Sequence, residues 1–309
     1  MTKKVAIIGC GFVGSTAAYA MLIKEVANEI VLIDISREKA EGHAMDLEQG
    51  IQFVRGAEIR YSDNYEACSG ADVIVITAGL AQKEGETRLD LVNKNAKLFR
   101  EMVPKIAEHN NNAVIIVVSN PVDIITYLTL RHSGFPKERV FGTGTTLDTA
   151  RLRYFLGDHF NVNPHNVHAY MLGEHGDSEF PVWSNSTIAG LKLEDLEGYS
   201  REAMDEIFNK TKGAAYEIIS RKGATYYAIG LVITEIAGSV LNDEDRIFPV
   251  STYIDNYYDN GGLCISVPCV IGSRGIKRRI QLPLNDDEQQ ALHKSAGTLR
   301  EYISNLGDG

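Results

Sequence analysis

Only four of the 309 residues are cysteines, Cys10, Cys68, Cys264 and Cys269, and no two form a CxxC pair or fall at His/Cys ligand spacing. The chain therefore carries no zinc-site pattern and no disulfide framework, and a reducing cytosol suits it best. Long apolar runs are lacking as well. Nothing approaches the ~18 residues of a membrane span, and Gly9, Gly11 and Gly14 interrupt the apolar run near the start before it could act as a signal peptide. Basic charge is scarce: 31 Lys and Arg against 41 Asp and Glu leave a net charge of −10. Such a balance repels nucleic acid and acidic membrane surfaces, and Lys277-Arg278-Arg279 is too short a cluster to reverse it. There is no low-complexity tract, no internal repeat and no Ser/Gly linker, so neither a disordered chain nor loosely tethered parts are expected. What remains is a folded protein with a small-molecule partner. Its length exceeds the ~250–300 residues at which one core stops growing, which predicts two tightly packed parts.

Residues 5–8, 30–33, 73–76 and 114–118 are apolar at every position, the pattern of strands buried on both faces of a parallel sheet. Helical stretches at 15–24, 37–49 and 89–109 lie between them and are long enough for right-handed crossovers. The reading is a doubly wound parallel sheet. After Asn120-Pro121 a helix over 123–133 leads to a strand over 140–143 and a helix over 148–160, and the alternation then stops. A strand candidate at 165–173, helices at 212–235 and 288–306 and a hairpin region at 268–283 predict an α+β second domain. The boundary falls near residue 143, dividing the chain into 1–142 for a dinucleotide and 143–309 for substrate and catalysis.

Gly9-Cys10-Gly11-Phe12-Val13-Gly14 follows the first strand and opens a helix, the context a dinucleotide fingerprint requires. One glycine permits the turn, one admits the pyrophosphate to the backbone, and one lets helix pack on strand, while the helix N-terminus faces the anion. The second strand ends at Asp34, where a carboxylate can accept hydrogen bonds from the adenosine ribose and repel an added 2′-phosphate, so NAD is favoured over NADP. Thr77-Ala78-Gly79 closes the next apolar strand with small residues that let a cofactor lie against backbone; alone, it reads equally well as a simple strand exit.

A nicotinamide cofactor that oxidises a hydroxyl by hydride transfer needs a base for the O–H proton and positive charge for a substrate carboxylate. Candidates cluster at 82–88 (QKEGETR), 148–151 (DTAR) and 173–179 (GEHGDSE). Through these motifs the chain resembles the L-lactate/malate dehydrogenase family from residue 5 to about 306, and looks most similar to its bacterial L-lactate members. The resemblance implies a Rossmann-type sheet followed by an α+β catalytic domain, with NAD on Gly9, Gly11, Phe12, Val13, Gly14, Asp34, Thr77, Ala78, Gly79 and Asn120. It implies His175 as the acid/base, Asp148 as the carboxylate that fixes its tautomer, and Arg151 as the fork on the substrate carboxylate. Asp148 also reads as a helix N-cap, and both readings stand at this point. Arg88 matches an arginine that polarises the reacting carbonyl when its loop closes. The loop departs from the family pattern, which has proline where Glu84 stands. Asn120 and Thr225 match residues that line the substrate pocket.

By the same resemblance, position 82 separates malate from lactate. Malate-type members carry arginine there for the second carboxylate, whereas neutral Gln82 would leave that charge buried without a partner and suits the methyl of pyruvate. Arg153 and His168 match residues that bind fructose 1,6-bisphosphate across a subunit interface in many bacterial members; a solvated arginine and a strand histidine are the plainer alternative. The resemblance further implies a cytoplasmic enzyme of glycolysis and fermentation, no metal, and a homo-oligomer. The first strand begins four residues from the start, without the N-terminal arm of the animal enzymes, so a tetramer would rest on surface faces and a dimer is an alternative. Malate dehydrogenase, a broader 2-hydroxy-acid dehydrogenase, and a non-catalytic NAD-binding protein are the rival readings.

Overall fold

The computed structural model describes residues 3–80 and 88–306. Strands β1 (Lys4–Ile8), β2 (Glu29–Ile33), β3 (Glu58–Ser62), β4 (Val73–Ile76), β5 (Val114–Val117) and β6 (Val140–Gly142) run parallel in the order β3-β2-β1-β4-β5-β6. Strands β4 and β5 are buried at every residue, as all-apolar strands covered on both faces must be. Helices α1 (Phe12–Ile23), α2 (Arg37–Gly50), α3 (Arg88–His109) and α4 (Val122–Ser133) provide the crossovers. Strand β3 was not expected: its sequence EIRYS alternates charged and apolar residues because it forms the sheet edge, half in water.

The second half begins with α5 (Thr146–His159). It continues through the short strands β7 (Val167–His168), β8 (Met171–Leu172), β9 (Phe180–Pro181), β10 (Thr187–Ile188) and β11 (Leu191–Lys192). Helices α6 (Arg201–Lys222) and α7 (Tyr227–Asn242) follow, then β12 (Arg246–Ile254), β13 (Leu263–Gly272), β14 (Gly275–Arg279) and α8 (Asp286–Ser304). Two expectations need correction. The strand over 165–173 is a 3-10 turn at Pro164–Asn166 followed by β7 and β8. The helix over 212–235 is two helices, because the chain turns at Gly223, φ +83° in the left-handed region that glycine tolerates.

The two halves also share a sheet. Strand β12, which the sequence reading missed, lies antiparallel beside β6 with Ser251 opposite Gly142. It carries β13 and β14 on its far side, so that nine strands form one sheet among the described residues. A Cβ on Gly142 would sit 2.4 Å from Thr126 Oγ1, and one on Gly144 2.4 Å from the Ser251 nitrogen, so the seam closes only over glycine. One apolar core runs from β1 through β13 to α8, and a smaller one lies under α5 and α6. The basic cluster on β14 has a structural explanation. Lys277 Nζ pairs with Asp243 Oδ1 at 2.8 Å and Asp245 Oδ1 at 2.6 Å, and Arg279 donates to Thr252 Oγ1 at 3.0 Å. All four cysteines are unpaired and buried, and no helix among the described residues is long and apolar enough to cross a membrane.

Candidate active site

The fingerprint lies at the carboxyl ends of β1 and β4. Gly9 adopts φ +99°, and a Cβ there would come within 2.6 Å of the Ala78 nitrogen; a Cβ on Gly14 would come within 1.9 Å of the Gly9 carbonyl. These two glycines serve the close packing of turn, helix and strand. Gly11 differs: a Cβ on it would meet nothing within 4 Å. It precedes α1 without a side-chain cap, so the unsatisfied N–H groups of Phe12, Val13 and Gly14 open onto space that a pyrophosphate can fill. Thr77 Oγ1 donates to the Gly9 carbonyl at 2.7 Å, and Ser119 Oγ to the Ala78 carbonyl at 2.6 Å, which holds Ala78 and Gly79 beside the turn.

Asp34 accepts from the Cys10 N–H at 2.7 Å and the Ser36 N–H at 3.0 Å, with Lys39 Nζ 3.5 Å away. Partial burial would raise its pKa, but these partners outweigh it and hold the carboxyl below its ordinary range, leaving an anion at the end of β2 that can accept hydrogen bonds.

The loop from Gly173 to Glu179 carries the histidine, and three successive backbone N–H groups fix it. Gly173 donates to the Ser266 carbonyl on β13 at 3.2 Å, Glu174 to Ser295 Oγ on α8 at 2.6 Å, and His175 to Asp123 Oδ2 on α4 at 2.8 Å. Helix α5 is clipped to the same loop from the other side. Thr145 Oγ1 donates to the Met171 carbonyl at 2.6 Å, and the Met171 N–H returns to Thr149 Oγ1 at 2.9 Å. Asp148 therefore faces the ring: His175 Nδ1 lies 2.7 Å from Asp148 Oδ2, and Arg151 donates to Asp148 Oδ1 at 2.9 Å. The residue before α5 is Thr145, without a side-chain cap, so Asp148 sits inside the first turn rather than at the N-cap; there the helix dipole favours its charge.

Burial would lower the pKa of His175, but the charge and hydrogen bond of Asp148 push it up to about 9. Asp148 is itself buried, yet the His175 charge and hydrogen bond and the Arg151 guanidinium hold it low and ionised. Asp123, fully enclosed, is pushed up to about 6 by burial, against the Ser251 hydroxyl and the His175 N–H. A cavity of about 470 Å³ opens over Asp148, Arg151, His175 and Glu179, with Leu91 and Asn120 on its other wall. It offers a proton donor and an oriented guanidinium side by side, the requirements for a carboxylate-bearing alcohol or ketone.

The dinucleotide turn and this cavity lie on one chain that matches two family models along nearly its whole length. These are the lactate/malate dehydrogenase NAD binding domain over residues 3–142 and the alpha/beta C-terminal domain over 145–307. The chain belongs to the lactate/malate dehydrogenase family. Members with similar sequences include an L-lactate dehydrogenase of Clostridium botulinum (strain Hall), 46% identical over 310 residues that span 98% of this chain and 97% of the relative. Another is the L-lactate dehydrogenase of Acetivibrio thermocellus, 47% identical over 309 residues at the same coverage. Among solved members of the family, a lactate dehydrogenase enzyme from a Medee basin deep-sea metagenome library superposes with a TM-score of 0.96 at 42% identity, covering 100% of both chains. The minor L-lactate dehydrogenase from Enterococcus mundtii, in its ligand-bound form, gives 0.96 at 41% identity over 99% and 98%.

Of the residues expected in the family's site, Asn120, Asp148, Arg151 and His175 meet at the cavity, while Thr225 lies in the connection between α6 and α7, outside its lining. There it precedes Tyr226, whose ring stacks on Phe12 of the fingerprint at 5.2 Å. Gln82 and the side chain of Arg88 lie outside the described residues, though Arg88 begins α3. Three residues escaped the sequence reading. Asp123 was not singled out, and Glu179 fell within the 173–179 cluster without a role. Asn95, not singled out in the helical stretch 89–109, is fully buried, with Oδ1 accepting from the Leu80 N–H at 2.8 Å and Nδ2 donating to the Asn120 carbonyl at 2.8 Å. It ties the end of the cofactor-facing loop to the substrate pocket.

Proposed function

We propose that the chain is an NAD-dependent L-lactate dehydrogenase of the cytoplasm that interconverts L-lactate and pyruvate, with His175 as acid/base, Arg151 on the substrate carboxylate and Arg88 on the reacting carbonyl. One observation carries the reading: the His175 ring and the Arg151 guanidinium are held on opposite oxygens of one buried carboxylate, at the floor of a cavity. The turn from Gly9 to Gly14 and the Asp34 carboxylate suit NAD, which supplies or accepts the hydride at substrate C2. Protonated His175 donates to the ketone oxygen during reduction and, as neutral imidazole, takes the hydroxyl proton during oxidation. Asp148 keeps Nδ1 protonated, so that Nε2 is the nitrogen that exchanges. Arg151, fixed by the other oxygen of Asp148, keeps further N–H groups for a carboxylate fork. Gln82 makes pyruvate the better substrate than oxaloacetate.

The ionisation of His175 sets opposite pH limbs for the two directions. Its pKa is raised, so the protonated form required for reduction persists until the pH climbs through about 9. Pyruvate kcat/KM should fall across that range, and lactate kcat/KM should rise toward it. Initial rates in both directions against pH check this; a reduction limb that breaks near the ~6.5 of a free imidazole would remove Asp148 from its assigned part.

Fructose 1,6-bisphosphate is proposed as an effector, and the assembly as a tetramer with a dimer as the alternative. Arg153 Nε donates to the carbonyl of Ala169, the residue after exposed His168, at 3.0 Å, so both side chains serve one surface that a symmetry mate could double. Following NADH absorbance with saturating pyruvate or oxaloacetate, with and without the sugar bisphosphate, tests the whole reading. Pyruvate should be the faster substrate and its KM should drop with the effector. Preference for oxaloacetate would overturn the choice at Gln82, and absence of turnover with both would favour a binding protein.

A further inference from the structure

Glu179 is the one group of the cavity floor to which the proposed mechanism gives no part. It closes the 173–179 loop and is 6% exposed, and its Oε2 is buried with no hydrogen-bond partner. One ligating atom from each of Asp148, His175 and Glu179 falls within 4.8 Å of the others. Two ionised carboxylates at that separation in a buried site repel strongly, and such pairs resolve the conflict by keeping a proton on one member. The partners decide which member. Asp148 has the His175 ring and the Arg151 guanidinium on its two oxygens. For Glu179 the nearby cations are His175, already paired with Asp148, and Lys212 of α6, whose Nζ already donates to the Asp177 carbonyl at 2.7 Å.

Resting on the 2-hydroxy-acid reading above, we propose that Glu179 is a positioning residue held as a neutral carboxylic acid, which keeps the charge of Asp148 for His175 and leaves the pocket cationic for an anionic substrate. Burial, and after it the charge of Asp148, pushes the Glu179 carboxyl up to about 9, in line with that geometry. The other charged groups facing the cluster are Asp123 from α4, Arg151 from α5, Lys212 from α6, and Glu174 and Asp177 from the loop itself. Asp123 is turned to the His175 N–H and Glu174 Oε2 receives the Ser178 hydroxyl, so neither competes for the Glu179 proton. Among the four side chains of the floor, Arg151 and His175 are cationic and Asp148 is anionic, so a neutral Glu179 leaves that set with one net positive charge. Its ionisation would cancel that charge where the substrate carboxylate must bind, and would raise KM.

The experiment compares Glu179→Gln and Glu179→Leu with the parent enzyme in pyruvate reduction, as kcat and KM against pH. In the parent, Glu179 and His175 both ionise near pH 9, so the alkaline limb of log kcat/KM should be steeper than one proton; in Glu179→Gln it should fall with the slope of one. Glu179 shares a side-chain hydrogen bond with Asp148; the amide keeps a donor for it, whereas leucine removes it, so kcat of Glu179→Leu should lie about tenfold or more below that of Glu179→Gln. An unchanged alkaline slope in Glu179→Gln, or equal kcat in both variants, would overturn the proposal. Difference infrared spectra recorded across the alkaline range give a readout without turnover. A protonated-carboxyl stretch that titrates in the parent and is missing from Glu179→Gln supports the assignment, and its absence from the parent refutes it. Failure of the parent to reduce pyruvate would count instead against the dehydrogenase reading.

Discussion

Replacing His175 with asparagine should lower kcat for pyruvate reduction by about 10²–10⁴-fold, the range a positioned general acid supplies. Asparagine can accept and donate hydrogen bonds but cannot carry the proton, so the His175 ionisation should drop out of the alkaline limb along with the rate, leaving that of Glu179. The loss does not stop at proton transfer. Asp148 is 3% exposed and would keep only Arg151 as a cationic partner, so the guanidinium should be drawn more fully onto its own carboxylate and KM for pyruvate should rise as well. Steady-state kinetics of the variant decide the matter: a kcat within tenfold of the parent would mean that His175 is not the proton donor.

The second large effect belongs to Gln82→Arg. A carboxylate buried against a neutral wall costs about 3–5 kcal/mol, equivalent to roughly 10²–10⁴-fold in rate, and an arginine removes that cost for oxaloacetate while setting an unpaired charge against the methyl of pyruvate. The ratio of kcat/KM for the two keto acids should therefore shift toward oxaloacetate by at least that factor. The flanks of the segment bear on the cavity in support. Leu80 is held by buried Asn95, which also holds the Asn120 carbonyl, and Leu91 in the first turns of α3 lines the same space. If the ratio stays where it was, substrate choice is made elsewhere in the pocket.

The first half of the fold was legible because the buried stretches of β1, β2, β4 and β5 are unbroken apolar runs and because Gly9, Gly11, Gly14 and Asp34 hold fixed positions around β1 and β2. Edge strand β3 and strand β12 were not. The first is half polar because one side faces water, and the second carries Arg246 at its start and serine and threonine within it. Periodicity reports burial, and these strands do not share one burial pattern. In the site, motifs located Asp148, Arg151 and His175 because their residue types match what the chemistry demands. Glu179, Asp123 and Asn95 escaped because their significance comes from burial, which their neighbours in space impose and their neighbours in sequence do not reveal. Thr225 shows the converse: the motif was recognisable, but the residue stands beside the stacked Tyr226 and Phe12 and not in the cavity wall.

The seam between β6 and β12 limits how this molecule can move. A cleft enzyme whose halves meet through side chains alone can open and shut like a book, with its reacting groups brought into register anew at each cycle. Here a continuous ladder crosses the junction, Gly142 and Gly144 leave no slack for sliding, and β13 holds the histidine loop through Ser266. The distance from the dinucleotide turn to His175 is therefore fixed when the chain folds. Adjustment to the substrate falls to short connecting segments, so alignment need not be regained at every turnover.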